Sequence, residues 1–494
     1  MRSQLKINNP WGYFSKIIIL AYAVLQLLRL AVLPQFIDIY YHLQAAWGFI
    51  QAGGYSSWDF WEYAPFGRPH IYPPLFHILL ALLMKSGAGV IFLAKFFESA
   101  TPVVFLIILW NFIRKTYGEQ LGFFVVVAFS SAFAFFISLS NHIPASLALI
   151  FGFLSLGELF KNRLLRAVIL LVLCFYTHIS VSWFIALSYI FYAVMDKQYR
   201  RNSLKVVFYS LLIALPILFH QFLALHFIRS FGMDMPERFH CQIKVIDYIL
   251  AFFGLALAAK MTPRHRLFIG MFLASLIFLT YPYRFFSGEG YLPVIFLSAL
   301  TMQALWKEKK IFAGVLVLFI LFISPTLSMN KPEGPRKTGH QIKWVDSALA
   351  GMILAKGNSV WFPWMYLPAA EVIKTNSSAG DIVYANINIA GLILSNLSQR
   401  ATANALLPEI GTSERFDPFL SAKIIILSED LDQRLINDIS LKYNLVKIKE
   451  NKYFSIFKNP ASAYRLKIRK ADLNFRTVII ILFILAGLFW WKKS

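Results

Sequence analysis

Side chains able to do chemistry are concentrated in one segment near the N-terminus of the sequence. The segment contains Asp38-Ile-Tyr-Tyr-His42, then Trp58-Asp59-Phe-Trp61-Glu62, then Gly67-Arg68-Pro69-His70. Carboxylate oxygens are hard ligands that can hold Mg²⁺ or Mn²⁺ against a phosphate group. A carboxylate can also take the proton of an attacking group. The pattern therefore predicts metal-assisted or general-base chemistry on a phosphate-bearing substrate.

Asp38 is the leading candidate for a catalytic residue and for a metal ligand. It lies just past the first apolar run, where a carboxylate can meet the outer membrane surface and a lipid headgroup. The alternative is a helix cap at the interface. Asp59 and Glu62 can contact substrate or metal, or can belong to a solvated polar loop between anchoring tryptophans. His42, Arg68 and His70 can contact substrate or metal, although histidines beside aromatic residues are more often structural.

Three later positions between apolar runs carry further candidates. In Ser140-Asn141-His142, an amide and an imidazole can bind phosphate or a divalent ion, or can cap the next helix. His178 follows Thr177 in a short turn and is either a pocket residue or a polar turn residue. Arg284 keeps its charge and can bind a phosphate bidentately, with a snorkelling arginine at the membrane interface as the alternative.

The elements that position these residues are predicted to be transmembrane helices. Hydrophobic residues make up 58% of the 494 positions and the mean hydropathy is +0.60. Soluble domains have roughly 45–50% apolar residues. Apolar runs of about 18 to 20 residues recur between basic clusters, which is the length that crosses the hydrocarbon of a bilayer. We predict a mainly α, polytopic membrane protein with about twelve spans, and this composition excludes soluble enzymes and cytoskeletal proteins.

The net charge of +23 is distributed over the ends of the apolar runs. This distribution follows the positive-inside rule, and no nucleic acid is expected as a partner. The first run, residues 17–33, lacks a following cleavage site and is predicted to be an uncleaved span. With twelve spans, both termini lie in the cytoplasm and the protein resides in the plasma (inner) membrane. Cys174 and Cys241 are the only cysteines, so a disulfide framework is not expected.

The predicted organisation is a transmembrane core, an external soluble α/β domain and a last transmembrane helix, at residues 1–329, 330–476 and 477–494. The core includes a catalytic external loop at residues 34–89. In its second span, Lys95 and Glu98 are spaced to form a structural ion pair. The α/β assignment of the external domain rests on alternating helix and strand patterns, at residues 369–374, 381–385, 390–396 and 422–427.

The segment from Asp38 to Pro74 resembles the first external loop of GT-C glycosyltransferases, most closely the catalytic subunits of oligosaccharyltransferases. The shared pattern is an Asp-x-Tyr-Tyr-like start, a Gly-rich turn, a Trp- and Asp-rich stretch, Pro-x-Gly-Arg ending at Arg68, and a Tyr-Pro pair. The resemblance implies that Asp38 is the first catalytic acidic residue, which binds metal and contacts the acceptor. It also implies that Arg284 binds the carrier phosphate and that Glu237 replaces a glutamate of a later external loop.

Two motifs of that family are missing here. Its second acidic pair, Asp-x-Asp, is replaced by Ser140-Asn141-His142. Its Trp-Trp-Asp-Tyr-Gly motif, which reads the acceptor sequon, is replaced by Tyr384-Ala-Asn-Ile-Asn-Ile389. The first departure leaves the use of a metal open, and the second makes protein N-glycosylation the second choice.

The expected function is inverting transfer of a sugar or oligosaccharide from a polyprenyl-(di)phosphate carrier to a protein, lipid or glycan acceptor on the external face. The expected cofactor is Mn²⁺ or Mg²⁺. A true oligosaccharyltransferase for protein N-glycosylation is the runner-up. A non-catalytic relative that binds or transports lipid-linked glycan is the alternative from another class, although a transporter should show polar or broken helices at the middle of the membrane.

Overall fold

The structure is a computed structural model that describes residues 10–34, 38–227, 241–323, 326–329, 340–343, 363–386, 388–404, 417–428, 431–451 and 453–490. The chain divides into two compact units, each built from distant parts of the sequence. The helical unit comprises Met1–Arg29, Phe97–Leu215 and Gly232–Gly357, and the mixed unit comprises Leu30–Phe96, Pro216–Phe231 and Asn358–Ser494. The predicted external loop and the C-terminal segment therefore fall into the same unit.

Helices dominate the described chain because long apolar runs satisfy their backbone hydrogen bonds internally, as lipid requires. Prolines at the starts of two helices, Pro144 and Pro293, occupy positions where the missing N–H costs nothing. In chain order the helices are α1 Pro10–Leu28, α2 Asp38–Ala52, α3 Leu75–Lys85, α4 Val90–Tyr117, α5 Glu119–Ser131, α6 Phe133–Asn141, α7 Ile143–Phe160, α8 Leu164–Phe175, α9 Ile179–Met195, α10 Lys197–Leu223, α11 Val245–Lys260, α12 Arg266–Ser275, α13 Pro282–Phe286, α14 Leu292–Glu308, α15 Lys310–Phe322, α16 Pro363–Asn376, α17 Asn388–Ser398, α18 Pro418–Ser421, α19 Gln433–Lys442 and α20 Phe475–Trp490.

Several of these helices are long and apolar enough to cross a membrane. Five such spans are found in the described residues, at Pro10–Ala31, Val90–Tyr117, Ile143–Phe160, Lys197–Leu223 and Pro282–Glu308. Shorter apolar helices of 10 to 17 residues include α5, α8, α9, α15 and α20. The membrane character is confirmed, whereas the number of about twelve spans stays a prediction.

Helices α5 and α6 are separated by a single residue. Helix α5 ends at Ser131 and α6 begins at Phe133, because Ala132 has an extended backbone with φ −81° and ψ 102°. A short sheet is also present in the helical unit. Its strands are β4 Cys241–Lys244, β5 Thr326–Met329 and β6 His340–Lys343, paired antiparallel in that order.

Close helix packing in the helical unit depends on small residues. Gly254 of α11 lies against the backbone of α14, so that a methyl group added there would overlap the carbonyl oxygen of Leu297. Small residues at such crossings let two backbones approach closely, which strengthens van der Waals packing where water supplies no driving force. Helices α11 and α14 therefore form a tightly fitted pair.

The predicted pairing of Lys95 with Glu98 is wrong. The buried Glu98 carboxylate instead accepts a hydrogen bond from the Arg29 guanidinium. Arg29 follows the last residue of α1, and sequence spacing within α4 could not reveal a partner 69 residues away.

The mixed unit contains a five-stranded sheet in the order β10-β11-β9-β7-β8. Strand β7 Ile382–Ala385 pairs parallel with β8 Ala401–Thr402 on one side and β9 Ile424–Ser428 on the other. The sheet continues antiparallel through β11 Phe454–Lys458 to β10 Val446–Glu450. The helix and strand patterns predicted at residues 369–374, 381–385, 390–396 and 422–427 are all confirmed, whereas β10, β11 and α19 were not predicted.

The first loop contributes to the core of this α/β fold. Its short strands are β1 Gly54–Tyr55, β2 Trp58–Asp59 and β3 Arg68–Pro69, and β1 pairs with β12 Leu473–Asn474 just before α20. The fully buried Trp61 and its neighbours Phe60 and Ala64 join one apolar cluster with sheet residues Ile382, Ala401, Ile425, Leu427 and Phe457. Two backbone bonds of 2.9 Å, from Thr402 N to Trp61 O and from Ala64 N to Thr402 O, attach the loop to β8.

Gly254→Ala is expected to lower the unfolding temperature of the purified protein, because the added methyl group overlaps a backbone carbonyl of α14. Overpacking of this kind costs about 1–3 kcal/mol. The matched control is Gly487→Ala in α20, where an added Cβ meets nothing within 4 Å in the described part of the chain. That control should be neutral or stabilised by up to about 1 kcal/mol, since Ala favours a helix. Equal unfolding temperatures would contradict the close packing of α11 on α14.

Candidate active site

Helix α2 presents Asp38 and His42 one turn apart on the same face. Asp38 stands in the first turn, where the helix dipole stabilises a carboxylate, and is half-buried. Two hydrogen bonds join this helix to the C-terminal half of the mixed unit. Asn396 Nδ2 donates to the Tyr40 carbonyl at 2.8 Å, and Gln44 Nε2 donates to the Arg400 carbonyl at 2.9 Å. The sheet side of the mixed unit therefore holds α2 in place.

Three buried imidazoles form a continuous chain that starts at His42. His42 Nδ1 lies 2.7 Å from His77 Nε2, and His77 Nδ1 lies 3.0 Å from His70 Nε2. His70 Nδ1 then faces Asp59 Oδ2 at 3.8 Å, which is an ion-pair distance rather than a hydrogen bond. The three imidazoles are each at most 1% exposed. The predicted candidates Asp59, His70 and His42 thus come together through His77, a residue that the sequence did not single out.

The protonation of this chain follows from its burial. Burial lowers the pKa of His70, and the nearby Asp59 carboxylate offsets only part of that effect. The pKa of His77 lies well below its ordinary value, first because of burial and then because His70 and His42 are beside it. Burial alone would raise the pKa of Asp59, but His70 and the Arg68 guanidinium outweigh it, so the pKa of Asp59 is lowered. A charged Asp59 carboxylate beside neutral His70 and His77 imidazoles is the resulting state.

A neutral chain of this kind has a preferred direction. The Asp59 carboxylate favours a proton on His70 Nδ1, which leaves His70 Nε2 to accept from His77 Nδ1. By the same rule His77 Nε2 accepts a hydrogen bond from His42 Nδ1. His42 then carries its proton on Nδ1, and its own Nε2 is the accepting nitrogen. One carboxylate thereby sets the tautomer of an imidazole two histidines away.

Arg68 and Glu62 form a fully buried ion pair in the same loop. Arg68 Nη2 lies 2.5 Å from Glu62 Oε2, with the two side chains 1% and 0% exposed. Burial would lower the pKa of Arg68, but the Glu62 carboxylate outweighs it and raises that pKa further. Asp59 Oδ1 meanwhile accepts from the backbone N–H groups of Trp61 and Glu62, at 3.1 and 3.3 Å. The alternative of a solvated polar loop at Asp59 and Glu62 is therefore wrong, since these side chains organise the interior of the loop.

In the helical unit, Arg284 and His178 come together with a carboxylate. Arg284 Nη1 lies 3.1 Å from Glu289 Oε1, and Arg284 Nη2 lies 3.4 Å from His178 Nε2. His178 also accepts at Nδ1 from the backbone N–H of Val181, at 3.3 Å, and so caps α9. The cap and the arginine contact explain the placement of His178 at the turn. The Arg284 side chain is 14% exposed.

The replaced acidic pair occupies the junction of α6 and α7. Asn141 is the last residue of α6, and His142 stands at the N-cap of α7 without donating or accepting a side-chain capping bond there. The His142 ring lies 5.5 Å from the ring of Tyr283, next to Arg284 in sequence. Glu237, by contrast, lies outside the described residues.

A second buried polar cluster was not predicted. Lys244 Nζ donates to Ser131 Oγ at 2.5 Å and lies 3.8 Å from Asp247, which accepts from the Tyr291 hydroxyl. All four residues are buried inside the helical unit. The sequence carried one sign of this cluster, because Lys244 and Asp247 are spaced i, i+3 beside an apolar run.

The described residues fit a divalent metal poorly. No three His, Cys, Asp or Glu side chains in this part of the chain are arranged to hold an ion. Asp59, Glu62, His42 and His70 are all engaged with protein groups. No step of the chemistry is therefore derived through a metal.

Arg68→Met is expected to destabilise the mixed unit by about 3–5 kcal/mol, because it leaves the Glu62 carboxylate buried without its cationic partner. The measurement is the free energy of unfolding in denaturant. Lys374→Met is the matched control. It breaks a 3.1 Å pair with Glu371 in which the carboxylate side chain is 65% exposed, and such a pair contributes about 0–1 kcal/mol. A loss for Arg68→Met no larger than for the control would contradict burial of the pair.

Lowering the pH from about 7.5 to 5.5 is expected to destabilise the mixed unit. The folded-state pKa values of His70 and His77 lie below the ordinary 6.5, so the unfolded chain takes up protons first as the pH falls below that value. Each imidazole contributes up to about 1.4 kcal/mol per pH unit. Asp59 acts in the same direction, but only near and below its ordinary pKa of 3.8. Unfolding temperature measured against pH tests this expectation.

His77→Gln should show a shallower pH dependence than the wild type, together with lower stability at pH about 7.5. A wild-type slope in His77→Gln would show that other groups cause the pH dependence.

Comparison with known proteins bears on the fold. Residues 13–151 match a family of unknown function, DUF6541, and no curated protein matches the chain. The oligosaccharyltransferase of Archaeoglobus fulgidus, crystallised with Zn and sulfate, is similar with a TM-score of 0.56 and 10% identity, over 87% of this chain and 69% of that one. A further structure of that enzyme, with a TM-score of 0.51, holds an inhibitory peptide and a dolichol-phosphate.

Two other membrane enzymes are similar to a comparable degree. Apo ArnT from Cupriavidus metallidurans has a TM-score of 0.54 and 11% identity, over 91% of this chain and 98% of that one. The arabinofuranosyltransferase AftD from mycobacteria has a TM-score of 0.53 and 11% identity, over 93% of this chain and 40% of that one. At such identities the likeness shows the fold alone. The chain has the fold of the GT-C membrane glycosyltransferases.

Proposed function

We propose that this protein is a membrane glycosyltransferase that moves a sugar or oligosaccharide from a polyprenyl-(di)phosphate carrier to an acceptor. The observation that carries the proposal is Asp38, a half-buried carboxylate in the first turn of α2, on a GT-C fold. The acceptor is a protein, a lipid or a glycan on the external face. One of the similar solved structures, an oligosaccharyltransferase of Archaeoglobus fulgidus, holds a dolichol-phosphate, which is a carrier of this class.

Asp38 has the chemistry of the base in this reaction. Its carboxylate takes the proton from the acceptor nucleophile as the new bond to the anomeric carbon forms, and the bond from that carbon to the carrier phosphate breaks with inversion. His42 lies one turn further along the same face of α2, with Nε2 as its accepting nitrogen. In the proposal His42 orients the acceptor beside Asp38.

Arg284 is proposed to bind the carrier phosphate. The guanidinium remains charged and offers several N–H donors, so it stabilises the negative charge that develops on the leaving phosphate. Glu289 and His178 contact one terminal nitrogen each and set the orientation of the group. Asn141 and His142, where the family has its second acidic pair, stay candidates for neutral phosphate or metal contacts.

Transfer of radiolabelled sugar from a panel of polyprenyl-phosphate donors tests this function. Asp38→Asn is expected to reduce transfer about 10²–10⁴-fold because it removes the base, and Arg284→Met about 10²–10³-fold because it removes charge stabilisation. Asp438→Asn and Arg434→Met, both exposed on α19, are the matched controls and should keep wild-type rates. Assays with Mn²⁺, with Mg²⁺ and with a chelator decide the metal requirement.

The acceptor panel separates the related functions. Transfer to a peptide containing Asn-x-Ser/Thr would indicate a true oligosaccharyltransferase, and transfer only to lipid or glycan acceptors would exclude it. No transfer from any donor, with lipid-linked glycan still bound to the purified protein, would contradict catalysis and favour a non-catalytic relative.

A further inference from the structure

The helical unit contains a cavity that the proposed reaction does not use. It has a volume of about 400 Å³ and lies between the C-terminal ends of α4 and α7 and the turn before α12. Three cationic side chains line it, one from each of these elements, namely Lys115, Lys161 and Arg264. Asn111 adds a neutral polar group, and its Oδ1 already accepts from Arg114 at 2.9 Å.

Positive charge is in excess around this cavity. Its one lining carboxylate, Glu158, lies 2.5 Å from Lys161, 3.5 Å from Arg163 and 3.9 Å from Arg166. The two helix C-termini add about half a negative charge each from their last carbonyl groups. Even so, the five basic side chains leave a net positive potential. Lys115 and Arg264 are exposed and are the cations least committed to Glu158.

The inner wall of the cavity is apolar. The rings of Phe112 and Phe153 lie 5.6 Å apart, and Phe160 stacks near Phe112 at 6.0 Å. Gly157 leaves space here, since an added Cβ would reach Phe112 only at 3.7 Å. A positively charged mouth above an aromatic wall matches an amphipathic ligand better than a small hydrophilic anion.

Lys115, Lys161 and Arg264 also belong to the basic clusters that predict the cytoplasmic ends of the spans. The cytoplasmic leaflet carries anionic lipids, and basic pockets between helices on that side bind their headgroups. We propose that this cavity binds the phosphate of an anionic phospholipid, with Lys115 and Arg264 on the phosphate and an acyl chain along the Phe112 and Phe153 wall. The proposal does not depend on sugar transfer.

Native mass spectrometry of the full-length protein in detergent, titrated with phosphatidylglycerol, measures this binding. Lys115→Ala/Arg264→Ala is expected to weaken binding about tenfold to thirtyfold, since each basic residue near the phosphate contributes about a fivefold factor. Lys197→Ala/Arg201→Ala removes two exposed cations of α10 that do not line the cavity, and should leave binding unchanged. Lys115→Glu is a second variant, at an exposed position where a change of fold is not expected. It should also weaken phosphatidylglycerol binding.

Phosphatidylcholine and inorganic phosphate are the comparison ligands, and Gly157→Leu fills the apolar wall. Weaker phosphatidylglycerol binding in Gly157→Leu, with weak binding of inorganic phosphate throughout, supports a lipid occupant. Inorganic phosphate that binds as tightly as the lipid would overturn the lipid assignment. Binding of phosphatidylcholine equal to that of phosphatidylglycerol, or unchanged binding in both the double variant and Lys115→Glu, would overturn the phosphate site itself.

Discussion

The mixed unit depends on one constraint, the burial of charged and polar groups of the first loop beside Trp61. An ion pair as buried as that of Arg68 and Glu62 is tolerable only when each partner stays in contact with the other. The neighbouring Phe60 and Trp61 side chains are locked into the apolar core of the five-stranded sheet. The loop therefore has a single conformation, and the sheet of the C-terminal segment is what enforces it.

The position of α2 follows from the same constraint. The Asn396 side chain donates a hydrogen bond to α2, and Gln44 of α2 donates one to the Arg400 carbonyl, so both bonds join this helix to the C-terminal half of the mixed unit. The imidazole chain joins α2 to the loop through His77 and His70. Asp38 thus stands on a rigid element rather than on a mobile turn. Rigid placement matters for a base, because small errors in its distance to the acceptor cost rate. Because His70 and His77 are buried in their neutral form, the stability of the loop also depends on pH.

Two groups of basic side chains in the helical unit differ in charge balance. Arg284 is compensated by Glu289 and oriented by His178, so its contribution is a directed set of hydrogen-bond donors. Around Glu158 several cations share one carboxylate, so the contribution there is a net potential. The first arrangement suits stabilisation of charge that appears during a reaction, whereas the second suits retention of a ligand that is already charged.

The sequence by itself determined the elements and their environment. Apolar length predicted membrane-spanning helices, and local patterns predicted the first helices and strands of the α/β fold, because hydrophobic periodicity reports the medium around each segment. The clustering of Asp38, Asp59, Arg68 and His70 in one loop was also visible. Only the tertiary structure decided the partners. Glu98 pairs with Arg29, His77 joins two other histidines, and Trp61 enters a sheet more than 300 residues away in sequence, since such contacts depend on chain packing rather than on local spacing.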